Sequence, residues 1–253
     1  MRWLPGLLRL AALALLMTFL LTPESFAPVF APLTQNDAPP IYTQSSLLAL
    51  TWAHLGTVFA AGLASTVVAV GLGVFVTRPA GAEFLPLSRS IVNIGQTFPP
   101  VAVLALAVPL VGFGEVPTLI ALFLYGLLPI FENTLSGLGE VPADVVDAAR
   151  GMGMGEGQRL VGIELPLALP VILAGVRLSL VINMGTATIG STVAAKGLGE
   201  VIIAGLLSNN TAFVLQGGLV VGLLAILLYD GMGALERRIA GSLGLPPLDA
   251  RRG

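Results

Sequence analysis

The sequence predicts an all-α fold, a polytopic membrane helical bundle of about six transmembrane helices. Three observations predict it: scarce charge, apolar stretches of spanning length, and arginines gathered on alternate connections. Of 253 residues, 55% are hydrophobic and only 10% are charged. A soluble domain carries about 25% charged residues to solvate its surface. The surplus apolar surface must therefore face a solvent other than water, and lipid is the obvious one. Glycine (31) and proline (18) are abundant. Both are tolerated in membrane helices, where small residues let backbones approach. Cysteine is absent, which excludes disulfides and thiolate metal sites. His54 is the single histidine, which argues against a histidine-ligated metal. A net charge of −2 gives no reason for a nucleic-acid partner.

A transmembrane helix needs about 20 mostly apolar residues. Six stretches qualify or nearly so: 4–21, 47–76, 91–111, 116–135, 167–189 and 213–235. Arg2, Arg9, Arg78, Arg89, Arg150, Arg159, Arg237, Arg238, Arg251 and Arg252 all fall on one side of this arrangement. Only Lys196 falls on the other, and Arg177 sits inside the fifth stretch. Basic residues mark the cytoplasmic side, so both termini are expected there. The first stretch also has the leading arginines and apolar core of a signal peptide, with Ser25-Phe26-Ala27 like a cleavage site. Pro28 would follow that cut and disfavours it, so the stretch is expected to be retained. The proline-rich segment 22–40 reads as an extended periplasmic connection. Residues 1–40 thus form an N-terminal span and connection, 41–240 the main membrane domain, and 241–253 a flexible cytoplasmic tail. Trp3 and Tyr42 suit interfacial anchors.

The loop 139–166, between the fourth and fifth stretches, carries the most information. Pro142 suits the first turn of a helix, and Asp144 and Asp147 favour its N-terminal half through the macrodipole. Ala148 and Ala149 leave a bare surface, while Gly151 and Gly153 permit an exit at positive φ. The prediction is a short cytoplasmic helix, a glycine turn, and a second helical stretch entering the membrane near Pro166 and Pro170. An acid at Asp147, the pair Ala148-Ala149, Gly153 six residues after the acid and Leu165-Pro166 twelve after that glycine recur as one arrangement. It resembles the EAA loop of ABC-importer permeases, with Asp147 in place of the usual glutamate.

That resemblance implies the transmembrane domain of a type I ABC importer. Its short helix would sit in a groove of an ATPase subunit and pass that subunit's closure to the membrane helices. It also implies partners: two ATP-binding subunits, a second permease chain (a copy or a relative), and a periplasmic or lipid-anchored solute-binding protein. ATP would be used by the partner subunit, with no cofactor on this chain. The location implied is the bacterial cytoplasmic membrane. The likeness extends over most of residues 45–235. Leu127–Leu138, Ala148–Gly153, Gly185–Gly190 and Gly197–Glu200 followed by Ile202–Leu206 resemble permeases for glycine betaine, choline and related osmoprotectants. Two positions depart from that pattern: Glu132, where arginine is common, and Lys196, where a small residue is usual.

Polar groups in lipid spans are costly and normally face the bundle interior. Asn93, Gln96 and Thr97 share a helical face just before Pro99-Pro100, and Asn183, Thr186 and Thr188 lie in a run of small residues. These six are the candidate substrate path, with interhelical hydrogen bonding as the competing role. Arg177, Asp230 and Glu132 are expected to be structurally paired, Glu132 with Arg150 or Arg159. No GxxxxGK[ST] loop, nucleophile–base set or metal-ligand set occurs. The chain is therefore expected to be neither the ATPase nor an enzyme of another kind, with no catalytic residue. An ABC permease for an amino acid or another small solute, or a secondary transporter, remains as an alternative.

Overall fold

Leucine- and alanine-rich runs with few breakers wind into long helices. The computed structural model describes residues 4–35 and 37–245. Arg2, Trp3, Arg251, Arg252 and the tail from 246 onward lie outside the described residues. Among those described, every regular element is helical. They are α1 (Leu4–Leu21), α2 (Leu47–Val76), α3 (Leu85–Thr97), α4 (Pro100–Val111), α5 (Glu115–Gly139), α6 (Ala143–Gly151), α7 (Leu165–Thr186), α8 (Gly199–Leu207) and α9 (Thr211–Ser242).

Four helices are long and apolar enough to cross a membrane alone: 47–76, 115–139, 156–193 and 211–242. Two bent pairs raise that to six, one of them joining Arg9–Leu21 to Pro23–Leu33 at 110°. The segment 22–40 is therefore not extended throughout. Short helical turns at Pro23–Phe26, Ala27–Phe30 and Ala31–Leu33 replace the expected connection. Each starts with proline in its first two positions, where the missing N–H costs nothing. Phe26 and Phe30 then fold back on Phe19, with ring centroids 5.1 and 5.6 Å away.

The third predicted span is also broken. Ala82–Thr97 and Pro100–Val111 are bent by 95° at a break, which falls where consecutive prolines cannot donate to the preceding turn. Phe98 follows the end of α3 in an extended conformation, and its carbonyl accepts from the Tyr125 hydroxyl. The last helix outruns its predicted end, so Gly241 and Ser242 are helical rather than part of a flexible tail.

The helices divide into two compact units. The first comprises Met1–Ala61, Pro99–Leu122 and Val181–Leu228, and the second Gly62–Phe98, Phe123–Leu180 and Tyr229–Gly253. The first is built around Phe19, Ile41, Tyr42, Leu198, Phe213 and Val220. A buried amide ties its non-helical strand down: Tyr42 N–H donates to Gln216 Oε1 at 3.1 Å, and Gln216 Nε2 donates to the Pro40 carbonyl at 2.7 Å. Gln216 is fully buried in an otherwise apolar helix, a position tolerable only with such partners. Gly199 lies so close to the Thr188 carbonyl that an added Cβ would stand 1.9 Å from its oxygen.

In the second unit, helices approach through small residues, as lipid-embedded packing favours. A Cβ on Gly95 would meet the Leu124 carbonyl oxygen at 2.4 Å, and one on Gly126 the Ser65 and Ser179 hydroxyls at 2.6 and 2.8 Å. Val92, Ile130 and Phe131 fill one part of its core, and Leu138, Ala168 and Ile172 another. Large apolar side chains stand outward in both units, Leu63 at 68% and Leu110 at 85% exposure. In water that would be an aggregation liability; in hydrocarbon it is the expected surface.

Candidate functional site: the loop between α5 and α7

The loop 139–166 folds as its residues direct. Pro142 caps α6 from an extended conformation (φ −60°, ψ 133°), and Asp144 accepts the Val145 N–H at 3.0 Å in the first turn. Asp147 pairs with Arg150 at 3.0 Å, one turn apart and both well exposed. At the other end, Met154 N–H reaches Ala149 O at 3.1 Å and Gly153 N–H reaches Arg150 O at 2.9 Å. These two bonds form a Schellman cap, which needs a left-handed residue. Gly153 supplies it at φ +81°. Gly151 keeps helical geometry inside α6, so the turn is made by one glycine rather than two.

The chain re-enters a helix at once. Gly155 N–H donates to Gln158 Oε1 at 2.9 Å, opening the turn Glu156–Arg159. A π-helical turn, Leu160–Glu164, follows and passes into α7. Pro166 has no N–H to offer Gly162, and an irregular turn just ahead of it absorbs that loss. The Arg78 guanidinium braces the same turn from the end of α2, with Nη2 2.6 Å from Glu164 Oε2. Glu164 is buried at 7% exposure, so this ion pair is largely withdrawn from water. Sequence reading missed the brace, since Arg78 and Glu164 are 86 residues apart.

The two alanines differ. Ala148 is exposed, and Ala149 is buried at 1% against its own chain. Met152 (74%) and Val161 (68%) stand out beside Gly153 as apolar groups on a polar loop. A shallow hollow lies next to them, lined by Gly153, Met154, Gly157, Gln158 and Gly162. The exposed surface here combines small residues and apolar groups at a capped helix end. Leu165 and Pro166 are half-buried at the start of α7.

The candidate path residues fall in two sets. Asn93, Gln96 and Thr97 belong to the second unit, and Asn183, Thr186 and Thr188 to the first. Gln96 Nε2 donates to Tyr125 O at 3.2 Å and Thr97 Oγ1 to Ile94 O at 2.8 Å. Asn183, fully buried, donates to Leu122 O at 3.1 Å, and its Oδ1 has no partner among the described residues. Thr186 and Thr188 donate to Ile182 O and Gly185 O at 3.0 and 2.7 Å. Asn93 is exposed.

The costly charges Glu132 and Arg177 are structurally paired as expected, but Glu132 has another partner than the two expected. Glu132 pairs with Arg89 through both oxygens, at 2.7 and 3.0 Å, and not with Arg150 or Arg159. Arg150 is taken by Asp147, and Arg159 Nη1 by the Met154 carbonyl at 3.2 Å. Arg177 pairs with Glu236 at 3.2 Å and lies over the Tyr229 ring, 4.5 Å from its centroid. Lys196 is exposed. Among the described residues, no group of His, Cys, Asp and Glu could hold a metal ion.

Comparison with known proteins adds independent information. Residues 69–241 match the family described as binding-protein-dependent transport system inner membrane component. The osmoprotectant import permease protein OsmY of Salmonella typhimurium is 40% identical over 197 residues, covering 78% of this chain and 84% of that protein. The carnitine transport permease protein OpuCB of Listeria monocytogenes is 39% identical over 77% of this chain and 88% of its own length. For the choline transport system permease protein OpuBB of Bacillus subtilis the identity is 38%, over 76% and 88%. Among solved structures, the inward-facing MetNI methionine ABC transporter superposes with TM-score 0.69 at 24% identity, over 76% of this chain and 95% of that one. At that identity the likeness shows the fold alone.

Proposed function

Since the chain belongs to the family of inner membrane components of binding-protein-dependent transport systems, we propose that it is the permease of an importer for quaternary ammonium osmoprotectants. Glycine betaine and choline are the expected cargo. The observation that carries this reading is the 38–40% identity to osmoprotectant, carnitine and choline permeases over three quarters of the chain. Methionine, the substrate in the name of the structural neighbour, is favoured by nothing beyond the shared fold.

Power comes from outside the chain, through α6. Asp147, Ala148, Ala149, Gly153, Leu165 and Pro166 form the coupling element toward a separate ATP-binding subunit. Ala148 and Met152 supply the docking face, Gly153 fixes the angle, and Leu165-Pro166 hands the motion to α7. Two ATP-binding subunits need two such loops, and this chain has one, so a second permease chain completes the assembly. A solute-binding protein delivers cargo on the periplasmic side, and both termini lie in the cytoplasm. Closure of the ATPases drives alternating access along a path bordered by Asn93, Gln96, Thr97, Asn183, Thr186 and Thr188.

The test is reconstitution with the candidate ATPase and binding protein in proteoliposomes. Uptake of labelled glycine betaine and choline is expected, and it should require ATP. Uptake that persists without the ATPase would overturn the importer class. ATP-dependent uptake of an amino acid alone would overturn the cargo.

A further inference from the structure

A cavity of about 540 Å³ lies wholly within the first unit, on the side that the arginine distribution assigns to the periplasm. Its floor is apolar, with Ile203, Ala204 and Leu207 from α8. Tyr42 and Phe213 close the back, packed edge to face with centroids 5.3 Å apart. Among its lining residues one side chain is charged, Glu200.

That carboxylate is oriented. Tyr42 donates its hydroxyl to Glu200 Oε1 at 2.7 Å, and Ser45 Oγ donates to the same oxygen at 2.9 Å. Tyr42 is itself held by Gln216, and Asn210 Nδ2 grips the Pro39 carbonyl at 2.9 Å. Both hydroxyls use Oε1, and no bond from the described residues reaches Oε2. Glu200 stands partly exposed in the first turn of α8, where the helix N-terminus favours a carboxylate, and its second oxygen is left to the cavity.

The cation that suits this setting is a weakly hydrated organic one. A small inorganic ion demands several oxygen ligands, whereas the polar side chains beside Glu200 are engaged locally: Ser191 and Ser208 donate to the Ala195 and Ala204 carbonyls, and Asn210 bonds Pro39 O and the Ala212 N–H. A trimethylammonium group needs no hydrogen-bond acceptor, buries methyl groups readily, and is drawn to negative charge and aromatic rings. We propose that the Glu200 cavity is a low-affinity reception site for the quaternary ammonium head of the cargo, occupied on release from the solute-binding protein. The proposal rests on the osmoprotectant reading above, and its test is arranged so that the two can fail separately.

The permease–ATPase complex in nanodiscs, without binding protein, is equilibrated with labelled choline. Specific binding is expected, displaced by tetramethylammonium but not by the neutral carbon isostere of choline, nor by sodium or potassium at equal concentration. Glu200→Gln keeps an acceptor for Tyr42 and Ser45 while removing the charge. It should weaken binding about tenfold, or 1.4 kcal/mol, and raise the KM for uptake. Phe213→Leu, which leaves the carboxylate untouched, should weaken binding by a smaller factor. Equal displacement by the neutral isostere, or unchanged binding in Glu200→Gln, overturns the site. So does a Glu200→Gln effect confined to affinity for the binding protein, which would make Glu200 a protein-docking charge. Choline binding without any ATP-driven uptake leaves the site standing and removes the cargo reading; normal uptake without binding does the reverse.

Discussion

Tyr42 shows how one side chain can serve two neighbours. Burial, and then the Glu200 carboxylate beside it, push its phenol up to about 12 from the usual 10. The folded chain thus favours the neutral phenol. Its contribution to stability is complete below pH 10 and is lost as pH rises through 12. In an ultraviolet titration of the folded protein, one tyrosine step is expected near pH 12, and Tyr42→Phe should remove it. A step that survives in Tyr42→Phe would assign the raised phenol elsewhere. Residue-scale pairing was only partly legible in the sequence. Asp147–Arg150 is an i,i+3 pair on one helix, and such pairs follow from periodicity. Glu132 with Arg89, Arg78 with Glu164 and Tyr42 with Glu200 join residues 43, 86 and 158 positions apart. No local pattern encodes which helix lies beside which. A lone Glu200 in an apolar run is the available signal for the last of these, and it does not say which residue meets it.

At the scale of elements, the α6 loop was legible nearly residue by residue, because capping chemistry is local. Pro142 before the helix, Asp144 in its first turn and Gly153 just after its end are signals that neighbours alone interpret. The difference between two adjacent alanines was not legible, since it depends on what packs behind α6. That difference sets the mutational test of docking. Ala148→Arg adds a long charged side chain on the exposed face, so insertion and thermal stability should stay near wild type while ATPase co-purification is lost. Ala149→Arg forces the same group into a space 1% exposed and should destabilise the loop as well, by about 1–3 kcal/mol. Normal co-purification of a stable Ala148→Arg protein would count heavily against the docking role. At the third span Pro99-Pro100 marks where the helical ladder has to break, but the 95° angle is not written in the prolines. At 22–33 the composition misled, because proline in a first helical turn and proline in an extended chain look alike until Phe19, Phe26 and Phe30 are seen to meet.

For the whole molecule, membrane class and helical content followed from charge scarcity and span length, which no tertiary detail can reverse. Orientation is open to direct measurement, helped by a sequence without cysteine. A single cysteine at Met152 should react with an impermeant maleimide only in inside-out vesicles, and one at Ser208 only in right-side-out cells. The opposite pattern would invert the proposed topology. At Gly95 and Gly199 a carbonyl oxygen occupies the place of any Cβ, at 2.4 and 1.9 Å. Every single-base change that alters a glycine codon's meaning introduces a side chain or a stop. These two codons therefore have no neutral missense neighbour, and a saturation screen of the gene should leave them bare while the lipid-facing leucines around them fill with substitutions.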